Sequence, residues 1–364
     1  MKRISYALLA ISILFSACTE ENLEMKKPDH AGGPKKDKGG DDGGSNTEVI
    51  HYLTGNSEDI QTNSSLGYLL AGGAGDQKSW FDWMVTKADG GDFVILRTDD
   101  SNGYNDASFI EGANSILTLV VNGQTSANSD FVRDKIREAE ALFIAGGDQT
   151  SYYNLWNGTE VESSIQYLVN EKGVPVGGTS AGLAILGEFA YIPQSSGVIS
   201  SEALSDPYHP YLETIKTDFL QLPGLGNIIT DTHFSERDRL GRTITLMARL
   251  IADGIVSSYQ DIKAIAVDEF TAVAIEPNGD AKVLGDENYE DYAFFFEANS
   301  TPNQCEAGQE LHWTDAITAY TVKGVSNPNT SFNIGNWATV GSVAQFENVN
   351  INYGSISNDI QQPN

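Results

Sequence analysis

The sequence predicts an α/β protein in which a mostly parallel sheet is covered by helices on both faces. Short, almost continuously apolar segments alternate with amphipathic segments between about residues 66 and 260. The chain has 364 residues, which is too long for one minimal domain, so an additional region is expected. Hydrophobic residues make up 40% of the chain and aromatic residues 10%, which is enough for a buried core.

The predicted strands are apolar runs that end at glycine or polar residues, and they lie at 66–71, 93–96, 116–121, 141–145, 174–176 and 228–229. Between them, apolar residues recur at helical spacing. One such helix carries Phe131, Val132 and Ile136, and the pair Asn128 and Ser129 is predicted to cap it. In parallel sheets of this kind, the chemistry lies beyond the carboxyl ends of the strands. We therefore expect the functional residues in the turns that follow these strands.

The pattern changes after about residue 260. Segments 264–269, 272–275 and 282–284 flank a turn at Asn278 and Gly279, which predicts an antiparallel strand and hairpin at one edge of the sheet. Residues beyond about 300 are rich in Asn, Ser, Thr and Gly, and we expect β-structure there. The predicted organisation is a core domain over 49–298 and a β-rich C-terminal extension over 299–364.

The chain is strongly acidic, with a net charge of −28. Such a surface repels phosphate, so we expect no nucleic-acid partner. Two cysteines exclude a disulfide framework and a thiolate metal site. The glycine pairs lack the G-x-G-x-x-G pattern at a helix start, and no histidine pair has metal-ligand spacing. We therefore expect neither a cofactor nor a metal.

The N-terminus is typical of an export signal. Lys2 and Arg3 precede an apolar run over 6–15, and small residues then lead to Cys18. Segment 15–18 (FSAC) resembles a bacterial lipobox, which implies a signal peptide over 1–17 and lipidation of Cys18. Residues 18–48 carry few apolar side chains and are expected to form a disordered tether. We expect an exported bacterial lipoprotein, periplasmic or on the cell surface, held to the membrane by its lipid alone. An ordinary signal peptide with an incidental Cys18 is the alternative.

A candidate nucleophile lies in segment 178–182 (GTSAG), between the strand at 174–176 and a helix-like run at 183–186. Small residues around Ser180 allow a sharp strand-to-helix turn, which exposes the hydroxyl and directs backbone N–H groups at an incoming carbonyl. The alternative is a tight turn whose serine only caps the helix. The order of strand, turn and helix favours the nucleophile.

A serine nucleophile needs a base, and His233 is the best candidate among the five histidines. It follows the apolar strand at 228–229, so we expect it on the same rim of the sheet as Ser180. The other four lie in the predicted tether, just after it, in a loop or in the C-terminal extension: His30, His51, His209 and His312.

Three strings together resemble the cyanophycinase and aspartyl dipeptidase family of serine peptidases, which has a class I glutamine amidotransferase-like fold. They are 146–149 (GGDQ), 178–182 (GTSAG) and 231–242 (DTHFSERDRLGR), with weaker matches at 96–97, 103–105 and 268–269. The resemblance covers about residues 60–290. Cyanophycinase-like sequences commonly have glutamine before the histidine, where this chain has Thr232, so its substrate specificity could differ.

The resemblance implies a triad in which Ser180 attacks, His233 acts as base and then as acid, and a carboxylate orients the imidazole. In the family this acid lies between the serine and the histidine in the chain. Glu202 is our choice, and Asp206 and Glu188 are the alternatives. The backbone N–H groups of Gly147 and Ala181 are expected to form the oxyanion hole.

The resemblance also implies a set of substrate-binding residues, and guanidinium groups among them suit a substrate carboxylate. The alternative for the arginines is local pairing with acids. The set comprises Gln149, Asp231, Arg237, Arg239 and Arg242.

The expected activity is that of an exported serine peptidase that cuts aspartyl bonds, such as the β-aspartyl-arginine links of cyanophycin. The expected partner is therefore a peptide or a cyanophycin-like substrate. The alternatives are an aspartyl dipeptidase of small peptides, an esterase that uses His312, and a catalytically degraded surface binding protein on the same fold. The sequence leaves the oligomeric state open, a homodimer included.

Overall fold

The structure is a computed structural model, and it describes residues 49–194, 197–212, 214–341 and 344–357. The signal peptide, Cys18 and the tether up to residue 48 lie outside the described residues. No helix in the described part of the chain is long and apolar enough to cross a membrane.

Two large sheets organise the fold. The strands of the first sheet are β1 (His51–Gly55), β2 (Gly67–Ala71), β3 (Asp92–Arg97), β4 (Ser115–Val120), β5 (Ala141–Ile144), β6 (Pro175–Thr179), β11 (Ala272–Ile275), β12 (Asp280–Leu284), β15 (Phe332–Asn333) and β16 (Ala338–Thr339). The strands of the second are β9 (Ile228–Asp231), β10 (Lys263–Val267), β13 (Tyr292–Ala298), β14 (Trp313–Lys323), β17 (Ala344–Asn352) and β18 (Ser355–Ser357). A small third sheet pairs β7 (Ala190–Tyr191) with β8 (Ile215–Lys216).

The helices are α1 (Lys78–Lys87), α2 (Gln124–Ala127), α3 (Asp130–Glu138), α4 (Gln149–Trp156), α5 (Glu160–Tyr167), α6 (Ala181–Ala184), α7 (Ser200–Ser205) and α8 (Leu240–Ala252). A π-helical turn, Leu168–Lys172, continues α5 and ends at Gly173 with φ of 73°. Side-chain caps begin several helices. The Ser129 hydroxyl accepts the Val132 N–H at 3.2 Å at the start of α3, as predicted.

The centre of the first sheet is parallel, in the order β4-β3-β5-β6-β2. Alternate side chains of these strands enter two different cores. Leu70, Leu96 and Ile144 pack in one core together with residues of α3 and α5. Residues of the opposite parity, such as Ile95 and Phe143, pack in another core that includes residues of α1. The predicted parallel sheet with helices on both faces is therefore confirmed.

The second sheet places two strand ends side by side. Strands β9 and β10 run parallel, and Ala266 lies opposite Asp231. His233 and Glu269 each follow their strand by two residues, so the chain leaves both strands at the same edge. This sheet has its own core, which includes buried residues of α8.

The C-terminal residues are β-rich, as predicted, and they extend both sheets. β14, β17 and β18 join the second sheet, whereas β15 and β16 join the first. The predicted antiparallel hairpin is β11 and β12. It does not form the edge of the sheet, because the free side of β12 pairs with β15, where Ala281 lies opposite Phe332.

Candidate active site

Ser180 lies in a strained turn between β6 and α6. Its φ of 53° and ψ of −118° are unusual for a residue with a side chain. The glycines around it are needed for close approach: a Cβ on Gly178 would lie 2.6 Å from the Gly182 backbone, and one on Gly182 would lie 2.2 Å from the Ile144 carbonyl oxygen. The small residues of the GTSAG segment therefore allow the turn that presents the hydroxyl.

His233 connects Ser180 to a carboxylate. The Ser180 Oγ lies 2.7 Å from His233 Nε2, and His233 Nδ1 lies 2.6 Å from Glu269 Oε1. Backbone bonds fix the ring: the His233 N–H donates to the Gly72 carbonyl at 2.9 Å, and Gly73 packs so closely that a Cβ on it would lie 2.4 Å from His233 Cε1. These contacts form a hydroxyl–imidazole–carboxylate relay beyond the ends of β6, β9 and β10.

The acid of this relay is Glu269 and not Glu202, which corrects the expectation from the sequence. The Glu202 carboxylate accepts the Ile199 N–H at 3.1 Å at the start of α7. The alternatives are also engaged elsewhere, since Asp206 accepts the Tyr208 N–H at 3.0 Å and Glu188 accepts the Asn227 N–H at 2.5 Å.

The reason for the correction is topological. Because β10 lies parallel to β9, an acid that follows β10 reaches a histidine that follows β9. The sequence did carry a signal for it, namely two acidic residues at 268–269 directly after an apolar run.

The environment of His233 favours a neutral imidazole. Burial lowers its pKa, and the hydrogen bond and charge of Glu269 oppose this effect only in part. The positive charges of Arg237 and Arg239 lower the pKa further. The imidazole can therefore accept a proton from Ser180 near neutral pH.

The residues expected to form the oxyanion hole lie in the two turns around the nucleophile. Ala181 is the first residue of α6, and Gly147 immediately precedes the Asp148 that caps α4. A Cβ on Gly146 would lie 3.6 Å from Ser180 Cβ, so the turn after β5 closely approaches the serine.

Two of the expected substrate-binding residues form a buried ion pair with each other. Arg242 Nε donates to Asp231 Oδ2 at 3.1 Å, its Nη2 donates to the other carboxylate oxygen, and the Thr243 hydroxyl donates at 2.7 Å. Arg242 is 3% exposed and Asp231 5%. Burial alone would raise the pKa of Asp231, but the two nearby arginines, Arg242 and Arg239, outweigh it and lower the pKa. This corrects the expectation for Arg242 and Asp231, since local pairing leaves neither free for substrate.

Two further residues of that set are also engaged with the protein. Arg239 donates to the Thr232 carbonyl at 2.6 Å, next to His233 in the chain, and burial lowers the pKa of Arg239 to about 10. Gln149 donates to the Tyr191 carbonyl at 2.6 Å. Arg237 is exposed and borders the cavity at Ser180, and among the described residues it forms no ion pair.

A cavity of about 320 Å³ opens at Ser180. Its lining combines the expected residues Ser180, His233 and Arg237 with three polar side chains that sequence reasoning did not assign: Asp76, Arg97 and Tyr104. The segments 96–97 and 103–105 had supported the family resemblance, which is the signal that could have identified two of them. The remaining lining residues are Gly73, Ala74, Gly75, Ala145, Gly146 and Thr179.

One group of carboxylates elsewhere has the spacing of a metal site. Asp59, Asp92 and Glu140 each place one oxygen within 4.8 Å of the others. Lys172 Nζ lies 2.9 Å from Glu140 Oε1, and Asp92 accepts the Asn114 amide at 2.8 Å. Glu140 and Asp92 already have protein partners, and Asp92 begins β3, whereas Ser180 follows the end of β6. They take no part in the chemistry at Ser180.

A serine in a strand-to-helix turn, with its hydroxyl 2.7 Å from an imidazole nitrogen, is typical of serine hydrolases. Within that class, the sequence model of peptidase family S51 matches residues 112–205, which include the turn that contains Ser180. The cyanophycinase of Synechococcus elongatus is 27% identical over 237 residues, 62% of this chain and 67% of the relative. That of Trichormus variabilis is 28% identical over 177 residues, 48% of this chain and 52% of the relative.

These matches confirm the resemblance to the cyanophycinase and aspartyl dipeptidase family of serine peptidases that was found in the sequence. Two solved structures are also similar. A peptidase from an acI-B1 actinobacterium has a TM-score of 0.41 at 15% identity and covers 67% of this chain and 96% of its own. A putative peptidase E from Listeria monocytogenes has a TM-score of 0.35 at 11% identity and covers 62% of this chain and 100% of its own.

Proposed function

We propose that this serine peptidase is exported and hydrolyses aspartyl peptide bonds of the cyanophycin type through Ser180, His233 and Glu269. The observation that carries the proposal is the continuous relay from the Ser180 hydroxyl through the imidazole to the Glu269 carboxylate, with contacts of 2.7 and 2.6 Å. An intact relay disfavours the catalytically degraded binding protein.

In the proposed mechanism, His233 takes the proton of the Ser180 hydroxyl as the oxygen attacks the scissile carbonyl. The Ala181 and Gly147 N–H groups stabilise the oxyanion of the tetrahedral intermediate. The imidazolium, stabilised by Glu269, then protonates the leaving amine. Water hydrolyses the acyl-enzyme by the reverse proton transfers, with His233 again acting as the base.

The chemistry of the cavity supports an aspartyl substrate. The exposed guanidinium of Arg237 borders the cavity next to Ser180 and suits the carboxylate of an aspartyl residue. The relatives named above are cyanophycinases. Thr232 stands where cyanophycinase-like sequences commonly have glutamine, so the following experiment compares several substrates.

The experiment is incubation of the purified protein with cyanophycin and with a panel of α- and β-aspartyl dipeptides, with the products read by mass spectrometry. We expect cyanophycin cleavage that is lost in Ser180→Ala and retained in His312→Ala. His312 is a matched control because its ring stacks on Tyr353 in the C-terminal region. Cleavage of α-linked dipeptides alone would replace cyanophycin with small aspartyl peptides as the substrate. No cleavage of any of these substrates would refute the proposal.

The proposed export rests on the N-terminal sequence, with its basic start, short apolar run and Cys18. In a bacterial host, we expect the protein to partition into detergent and to incorporate labelled palmitate, and Cys18→Ser to lose both properties. A wild-type protein that carries no lipid would refute the anchor.

A further inference from the structure

Asp76 lies in the cavity at Ser180, and the mechanism above does not use it. It follows β2 and precedes α1, in a turn that contains Gly73 and Gly75, and it borders the same cavity as the nucleophile. The Tyr104 hydroxyl donates to Asp76 Oδ2 at 2.5 Å. The Asp76 carboxylate is therefore held in a fixed position in the lining of the cavity that contains Ser180.

This carboxylate has no cationic partner in the part of the chain that the structure describes. Among the described residues, no lysine, arginine or histidine forms an ion pair with Asp76. Arg97, which also borders the cavity, pairs with Asp99 at 2.5 Å and not with Asp76. Burial raises the pKa of Asp76, and the hydroxyls of Tyr104 and Thr179 oppose this effect only in part. An ionised carboxylate in such a place is costly unless a cation reaches it.

A second polar group, the Thr179 hydroxyl, lies beside Asp76. Thr179 is 4% exposed and borders the same cavity. Its hydroxyl lies near enough to Asp76 to affect the pKa of that carboxyl, but it makes no hydrogen bond with good geometry to any described residue. A ligand with several N–H donors can bond both to the Asp76 carboxylate and to the neighbouring buried Thr179 hydroxyl oxygen.

Another aspartate in the same protein shows how a structural carboxylate is satisfied here. Asp231 accepts from Arg242, from the Thr243 hydroxyl and from the Thr232 N–H. Among the described residues, Asp76 accepts from Tyr104 but has no ion pair, and it borders the cavity. The contrast indicates that no described residue supplies a cation to Asp76.

We propose that Asp76 is a specificity-determining residue that pairs with a cationic N–H group of the substrate, an ammonium or a guanidinium, while the scissile bond lies at Ser180. This inference rests on the proposed function, since it assigns one end of that substrate. Arg237 borders the same cavity and forms no ion pair with a described residue, so a substrate with both a cation and a carboxylate fits the cavity by charge.

The test compares full-length wild type with Asp76→Asn, which keeps the side-chain size and removes the charge. The substrates are β-aspartyl-arginine peptides, the same peptides with neutral citrulline in place of arginine, and N-acetylated forms of each. A charge-assisted bond at this site corresponds to about a 10-fold to 100-fold preference in kcat/KM of wild type for the cationic substrate. We expect Asp76→Asn to lose that preference.

The two sources of the cation give different outcomes. Loss of the preference for arginine over citrulline identifies a guanidinium, whereas loss of the preference for a free over an acetylated terminus identifies an ammonium. Glu111→Gln is the matched control, because its side chain is 72% exposed outside the cavity, and it should keep the wild-type preference. A wild type without any preference, or an Asp76→Asn variant that keeps it, would overturn the proposal.

A binding measurement separates this proposal from the proposed function. Calorimetry with argininamide, on full-length Ser180→Ala and on the same variant with Asp76→Asn added, does not depend on catalysis. We expect the second variant to bind argininamide at least about 10-fold more weakly. Equal affinities would overturn the role of Asp76, even if wild type hydrolyses aspartyl peptides. Weakened binding in a protein that cleaves none of the peptides would leave the cation site in place and refute the proposed function alone.

Discussion

Replacing Glu269 with glutamine tests the corrected triad most sharply. The carboxylate accepts from His233 Nδ1 at 2.6 Å, and the imidazole is buried at 4% exposure. Glutamine keeps the size but loses the charge that stabilises the imidazolium, and its amide can hold the wrong tautomer of the ring. In serine peptidases, the equivalent change to the triad acid lowers kcat by about 10⁴-fold. The Glu269 side chain is 21% exposed and thus partly hydrated. We therefore expect a fall of about 10³-fold to 10⁴-fold.

The assay is steady-state hydrolysis of the best aspartyl substrate, with thermal unfolding to show that the variant is folded. Because Glu269 raises the pKa of His233, its loss should also move the acid limb of kcat/KM to lower pH. Glu202→Gln is the matched control, since that carboxylate only accepts the Ile199 N–H, and kcat should stay within about 3-fold of wild type. If Glu202→Gln loses activity and Glu269→Gln keeps it, the assignment of the acid is wrong.

Three further predictions concern the surroundings of the histidine. Arg237 lowers the pKa of His233, so Arg237→Gln should move the acid limb of kcat/KM to higher pH, and pH–rate profiles of both proteins check the sign. Arg242→Met leaves Asp231 buried without its partner and should lower the free energy of unfolding by about 3–5 kcal/mol in urea titrations; an unchanged midpoint would contradict the buried pair. Gly73→Ala adds a Cβ that would lie 2.4 Å from the imidazole, so kcat should fall by at least about 10²-fold, and wild-type kcat would show that the ring is not held there.

The strands of the parallel sheet could be predicted because each is a short apolar run buried on both faces. Four of the five appear within one residue of the predicted bounds, and the fifth, β6, extends three residues further, to Thr179. Their order in space could not be predicted, because apolar runs carry no information about which neighbour each pairs with. The first strand, β1, was missed for a related reason: its side chains are only partly buried and it pairs at the edge.

The pairing of Ser180 with His233 could be anticipated because both residues follow buried strands. The acid could not be identified in the same way, because 50 acidic residues offer many candidates. Only the parallel pairing of β9 with β10 singles out Glu269. The arginines illustrate the same limit: Arg237 and Arg242 look alike in the sequence, but one is exposed at the cavity and the other is buried on Asp231.

Covalent trapping of the nucleophile tests the central claim most directly. Purified protein is treated with a fluorophosphonate, digested and mapped by tandem mass spectrometry, alongside Ser180→Ala and His233→Ala. The relay predicts a single adduct on Ser180, no adduct in Ser180→Ala, and labelling of His233→Ala slowed by at least about 10³-fold. An adduct on another residue, or wild-type labelling of His233→Ala, would contradict the account.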